Sequence, residues 1–389
     1  VTATAAEQRW PWWPLLPLYP YGRRRTLVRE LIAERLWSFE QLQGVWYVAV
    51  PIRMTVLRVR EGLLLYAPVA PTAEVLAQLH QLEEHHGPVC TIVLPTASGL
   101  EHKLPVPAMA RAFPAAQVWV TPKQWSFPLS LPSAWLGFPP SRTRVLLTDG
   151  VPHGDQLDWL PLGPLDLGLG TFMEIACFDR ASGSLLLTDA LVAIPPEPPE
   201  LFDLDPTPLL FHARERGDEP LVDDPALRRR GWRRLVLFAN YLRPRPLEVP
   251  PLGEVLSHCL APGCRRPRSH FGFYPFRWLP DWQADFEALV PDGRCSVQVA
   301  AVLERLVFPR QRNALVAWIR GLAGLRELRW LVPCHYEAPV ACSPARLSAL
   351  ADRIEAGPWA QDQGPWLTLA GIDRTLVKLG VVPGEEADG

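Results

Sequence analysis

The chain predicts an α/β fold, and three observations carry that prediction. Continuous runs of valine, isoleucine and leucine recur along the 389 residues, as in strands buried on both faces. Segments with apolar residues at helical spacing lie between them. The order begins β-β-β-α-β-α-β, so a hairpin opening is followed by βα units.

Taken in order, residues 1–25 form an aromatic, proline-rich strap, because the prolines of WPWWPLLPLYPY (10–21) forbid a regular helix. Its tryptophans need a surface to cover, either the domain itself, a partner or a membrane surface, and Arg23-Arg24-Arg25 follows at once. Residues 26–36 have helical spacing. VWYVAV (45–50), MTVLRV (54–59) and LLLY (63–66) read as strands, the last after the turn Glu61-Gly62. A helix over 72–86 places Val75, Leu76, Leu79 and Leu82 on one face. Strand 91–94, helix 106–112 and strand 117–120 continue the alternation. Strands follow at 144–149, 157–160 and 164–169, then a hairpin of 172–178 and 184–188 about the turn Asp179–Gly183. Residues 195–208 read as a loop, 226–242 as a helix interrupted or begun near Gly231, and 244–295 as a proline- and aromatic-rich insertion. Helices at 297–307 and 311–322, a last strand at 328–332 and a helix at 344–356 complete a domain over 26–360. Residues 361–389 are a tail.

A net charge of −2 with pI near 6.6 argues against bulk electrostatic binding to nucleic acid. Seven scattered cysteines make no disulfide framework, which fits a reducing compartment. No apolar run is long enough to span a membrane, and the 10–21 segment lacks the core and cleavage site of a signal peptide, so peripheral contact is the membrane role left open. No phosphate-binding glycine loop and no Gly-x-Ser-x-Gly elbow is present.

The most telling stretch is 91–122, TIVLPTASGLEHKLPVPAMARAFPAAQVWVTP: a buried strand, a loop carrying Glu101-His102, a helix and a second strand. Two later places complete a pattern. Leu187-Thr188-Asp189 closes the hairpin, and Trp330-Leu331-Val332-Pro333-Cys334-His335 ends the last strand. Together they resemble the metallo-β-lactamase superfamily, whose first ligand segment reads His-x-His-x-Asp-His. The resemblance implies an αββα sandwich, two mixed sheets between helices, here with a proline-rich insertion. It also implies a metal site from which the three histidines of the first metal are missing, at Ala97, Gly99 and near Gly170. The four second-metal positions hold Glu101, His102, Asp189 and His335. Two nitrogen and two oxygen donors suit Zn²⁺, Fe²⁺ or Mn²⁺. Glutamate in place of the usual aspartate moves the carboxylate by roughly 1.5 Å, against a metal–oxygen tolerance of about 0.2 Å, so Glu101 binds only if its loop shifts.

Other candidates are weaker. His258-Cys259, Cys264 and His270 carry zinc-binding groups at a spacing that matches no closed motif. Cys334 either adds a thiolate beside His335 or packs. His153 lies in a turn, His85-His86 ends a helix, and Lys103 and Lys123 flank the cleft.

Segments 10–30, 37–56, 94–114 and 118–139 resemble, more narrowly, a family of metallo-β-lactamase-like proteins of cyanobacteria and chloroplasts, which implies a photosynthetic source, a cytoplasmic or stroma-like location and no reaction. Two functions are therefore expected as alternatives. One is a mononuclear metal-dependent hydrolase of an ester, amide or thioester. The other is a catalytically silent binding or assembly protein that holds a small or hydrophobic ligand or a protein partner.

Overall fold

Two β-sheets lie face to face, and the period-2 alternation of their strands decides which side chains fall between them. The structure, a computed structural model, describes residues 3–10, 19–20, 22–45, 47–97, 99–124, 132–168, 170–262, 264, 267–357 and 362–384. The first sheet runs in chain order through β1 (Leu27–Ile32), β2 (Leu36–Val45), β3 (Val48–Val59), β4 (Gly62–Tyr66), β5 (Val89–Leu94), β6 (Gln117–Val120) and β7 (Thr143–Val145). It is antiparallel as far as β4 and parallel beyond, where α1 (Ala73–His86), α2 (Leu100–Lys103) and α3 (Val106–Ala112) make the crossovers. Thr72 caps α1 by accepting the Val75 N–H at 3.3 Å.

The second sheet begins with β8 (Leu157–Asp166), β9 (Thr171–Asp179) and β10 (Ser184–Leu187). Two small pairs intervene, β11 (Leu191–Ala193) with β14 (Val297–Val299) and β12 (Leu247–Glu248) with β13 (Arg277–Trp278). The sheet is completed by β15 (Trp330–Pro333) and β16 (Val340–Ala341), in the order β16-β15-β10-β9-β8.

Leu57, Leu64, Tyr66 and Val93 of the first sheet meet Met173, Ile175, Leu186 and Val332 of the second. The neighbours one residue away face outward. Leu63, Leu65 and Ile92 pack on α1 and α3, while Leu185, Leu187 and Leu331 pack on α10 (Arg312–Ala323) and α11 (Pro344–Ala356). The layering is αββα, as expected. A fourth cluster, built on α5 (Thr207–Ala213), α6 (Pro225–Tyr241) and α8 (Trp282–Leu289), covers the Ala49 end of the first sheet.

Several local expectations are corrected. Residues 26–36 form no helix; β1 and the start of β2 lie there, paired Leu27↔Glu40 to Ile32↔Leu36. The pairing of β2 to β3 over Leu36–Val45 overrides local helical spacing. The two strands expected at 45–50 and 54–59 are one, β3. Its partner β4 reaches only Thr55–Val59, so Pro51 lies where β3 has one strand neighbour and its missing N–H is tolerated. The pair expected at 157–160 and 164–169 is likewise the single strand β8, with a register irregularity between Leu162 and Leu165. Strand 144–149 shrinks to β7 because Leu147 turns with φ +67°. The loop 195–208 contains α4 (Leu201–Leu204) and the start of α5, and 297–307 divides into β14 and α9 (Ala301–Leu306). Helix α6 is continuous through Gly231, the insertion carries α7 (Leu252–Cys259) and α8, and the tail carries α12 (Leu367–Lys378). Most of the 10–21 segment, residues 11–18 and 21, lies outside the described residues; Trp10 and Tyr19 are buried, and Tyr19 pairs through its backbone with Gly44.

Candidate metal centre

Strand pairing brings the distant site residues together. β10 and β15 are parallel, with Leu187 opposite Pro333, so Asp189 and His335, each two residues beyond its strand, leave the sheet at the same end. Glu101 and His102 follow β5 on α2. Ligand-capable atoms of Glu101, Asp189 and His335 all lie within 4.8 Å of one another. His335 Nε2 is 3.2 Å from Asp189 Oδ1. His102 is not one of the three; its ring lies beside that of His335, centroids 6.1 Å apart.

Both imidazoles are held the same way. Nδ1 of His335 is 3.1 Å from the Pro51 carbonyl, and Nδ1 of His102 is 3.3 Å from that of Pro68. A carbonyl only accepts, so each Nδ1 carries a proton; neutral His102 offers its Nε2 lone pair, and His335, whose Nε2 donates to Asp189, offers one once that proton is lost. The Nε2 of fully buried His102 has no hydrogen-bond partner among the described residues. Two carboxylates, one paired imidazole and one unclaimed imidazole nitrogen in a buried corner fit a divalent cation.

The electrostatics agree. Burial, reinforced by the charge of His335, pushes the His102 pKa down to about 4. Burial would also lower that of His335, but the hydrogen bond and charge of Asp189, with Glu101, raise it. Burial works to raise Asp189, and the bond and charge of His335 outweigh it, so its pKa is lowered. Glu101 is raised by burial and by the Asp189 charge beside it.

Glu174 is the residue that sequence reasoning missed. It is fully buried on β9 and accepts the backbone N–H groups of Thr188 (2.7 Å), Asp189 (3.0 Å) and Ala190 (2.8 Å). Burial, then the charge of Asp189, pushes its pKa up to about 7. The available signal was a lone carboxylate in the apolar run TFMEIACF, which demands a polar partner.

The positions at which the resemblance implies missing histidines are filled or closed. Ala97 is buried, its N–H bonded to Met173 O at 2.9 Å. A Cβ on Gly99 would stand 2.8 Å from Thr96 Cγ2 and 3.2 Å from Glu101 Oε1, so the longer acidic side chain occupies space that any other residue at 99 would contest. Gly170 closes the β8–β9 turn, accepting the Leu167 N–H at 2.9 Å.

The remaining candidates fall elsewhere. Among the described residues, Glu101, Asp189 and His335 are the one grouping of three or more histidine, cysteine or acidic residues at metal-binding distance, so His258, Cys259, Cys264 and His270 do not converge. Cys334 is buried, and burial raises its thiol well above the ordinary range, so it packs. His153 bridges Glu61 (2.9 Å) and Thr91 (2.8 Å) at the start of β5. His85 meets Gln81 O, and the His86 ring lies tilted against Trp37. Lys103 is buried and donates to Ala97 O at 2.7 Å, while Lys123 is exposed.

Residues 33–352 match a family described as "Domain of unknown function (DUF4336)". The chain belongs to that family. No functionally curated protein matches the DUF4336 chain. Solved structures similar to it are metallo-β-lactamases. One is the DIM-1 enzyme exposed to ceftazidime, at 9% identity and TM-score 0.39 over 86% of this chain and 98% of that one. Another, from Pontibacter korlensis, has 17% identity and TM-score 0.30 over 42% and 71%. A third, from Hirschia baltica, has 11% identity and TM-score 0.31 over 46% and 77%. Likenesses this distant assign no chemistry to the DUF4336 chain. No helix among its described residues is long and apolar enough to cross a membrane.

Proposed function

We propose that the DUF4336 chain is a mononuclear metal-dependent hydrolase. Glu101, Asp189 and His335 hold one divalent cation, Zn²⁺, Fe²⁺ or Mn²⁺, with His102 presenting a further nitrogen beside them. The observation that carries this reading is the convergence of three ligand atoms within 4.8 Å at the ends of strands that are far apart in sequence. A bound divalent cation supplies Lewis acidity, which polarises the carbonyl of an ester, amide or thioester and acidifies water. The chain's own groups supply the rest. The Pro51 and Pro68 carbonyls orient the two imidazoles with Nε2 turned away from the carbonyls. Burial of His102 beside half-buried ligands limits bulk water and strengthens each charge interaction. Ala97 and Gly99, which offer no ligand atom, restrict the site to one cation.

A second reading, a catalytically silent binding or assembly protein, is favoured by one observation. Leu252 and Leu256 lie about one turn apart on α7 of the insertion, with Leu260 at its C-cap and Val249 just before it, and the four are 66%, 49%, 70% and 57% exposed.

Metal content by plasma mass spectrometry, on protein purified without a histidine tag, separates the two. Roughly one equivalent of Zn, Fe or Mn, lost in an Asp189→Ala/His335→Ala double variant that still folds, is expected for the hydrolase. No metal in either protein would overturn it in favour of the binding reading.

A further inference from the structure

We infer that Glu174 and Arg53 are positioning residues that preform the metal centre, one for each of the two ligand loops that leave the second sheet. The inference rests on the proposed metal site and adds that its geometry is set before any cation arrives.

The loop 188–190, which carries Asp189, presents three successive backbone N–H groups. All three point at one carboxylate: Glu174 Oε1 takes Thr188, and Oε2 takes Asp189 and Ala190. The loop 334–336, which carries His335, presents carbonyls on either side instead. The fully buried guanidinium of Arg53 donates to the Pro333 carbonyl through one Nη and to that of Tyr336 at 2.7 Å through the other. Its Nε is bonded to Glu40 Oε1 at 3.1 Å, which fixes the fork. Between those two carbonyls sits His335, held further by the backbone bridge to Ile52 and by the Pro51 carbonyl on its Nδ1. Tyr336 takes φ +59°, a left-handed conformation unfavourable for a tyrosine, which something must hold. Each loop is thus gripped by a single side chain of the polarity its backbone requires: an anion for N–H groups, a cation for carbonyls.

Buried charges are expensive, and apolar packing commonly fixes a loop as firmly. What these charges add is direction. A carboxylate receiving three N–H groups, or a planar fork spanning two carbonyls, sets backbone orientation to within hydrogen-bond tolerance, and metal ligation needs that accuracy.

The test uses the full chain as wild type, Glu174→Gln, Glu174→Asp and Arg53→Lys. Glutamine is isosteric but turns an N–H₂ toward a backbone N–H. Lysine keeps the charge and loses the fork. Two readouts are taken: site-resolved amide hydrogen exchange of the metal-free protein, and Co²⁺ and Zn²⁺ affinity by competition titration. The expected result for Glu174→Gln is at least tenfold faster exchange at Thr188, Asp189 and Ala190, with amides of β3 and β5 unchanged, and metal binding about 10–100-fold weaker. Arg53→Lys is expected to loosen 334–336 in the same way. Glu174→Asp is expected to fall between wild type and Glu174→Gln. Unchanged local exchange, or a loss of protection spread over both sheets, would overturn the positioning role. A wild type that binds neither metal would overturn the proposed function and with it the metal centre, while the exchange readout decides separately whether these residues hold the loops.

Discussion

At the scale of single residues, the two site histidines respond oppositely to pH. His335 carries a raised pKa because Asp189 and Glu101 face it, and it ligates a cation only after losing the Nε2 proton. Metal affinity is therefore expected to rise with pH through and above the ordinary histidine range of about 6.5, measurable by Zn²⁺ titration at several pH values. His102, depressed to about 4, is already neutral there and adds no slope. A different histidine governs acid stability. His212 is fully buried among Phe211, Phe238 and Phe276, its Nε2–H donating to Tyr47 O at 3.1 Å, and burial lowers its pKa to about 3. The unfolded chain binds a proton at this group from about 6.5 downward, and the folded chain only near 3. Its contribution to stability is complete above pH 6.5 and is lost as pH falls toward 3, at a rate of at most about 1.4 kcal/mol per pH unit. His212→Phe is expected to flatten the fall in urea-denaturation stability between neutral pH and about pH 4.5 by one proton's worth.

Elements show where local pattern and tertiary demand part. The hairpin of β9 and β10, the helix α1 and the strand β5 were legible because turn residues and apolar periodicity agreed with their surroundings. The segment 26–36 was not, because its charged and apolar residues also fit a strand, and only the ladders of β1 to β2 and of β2 to β3 chose between the two. Gly231 misled in a different way. It interrupts no helix; α6 needs a glycine because α5 crosses it so closely that a Cβ would lie 1.9 Å from the Leu209 carbonyl oxygen. Gly231→Ala, which improves intrinsic helix propensity, is therefore expected to lower stability, by about 1–3 kcal/mol in chemical denaturation. A stability gain would mean that the two helices separate at little cost.

Across the whole molecule, the tail is tied back to the domain by charge as well as packing. Asp373 of α12 is buried between Arg305 (2.8 Å) and Arg310 (2.5 Å), and Leu369 joins the cluster of α6 and α8. Removing the shared carboxylate leaves two buried guanidinium groups short of their common partner, so Asp373→Ala is expected to cost about 3–5 kcal/mol and to expose the tail to limited proteolysis. A variant as stable and as protease-resistant as wild type would show that α12 is held by its apolar face alone.

The sequence by itself determined the layers. Period-2 and period-3.6 patterns specify which faces must be covered, and the resemblance of three segments to a known metal-binding pattern singled out Glu101, His102, Asp189 and His335. Only the tertiary structure decided which of the four converge. The parallel register of β10 with β15 set Asp189 against His335, and the room at Gly99 let Glu101 join them, leaving His102 to one side. The roles of Glu174 and Arg53 became visible only there as well. Their partners are backbone groups, and a backbone N–H or carbonyl leaves no mark in the sequence.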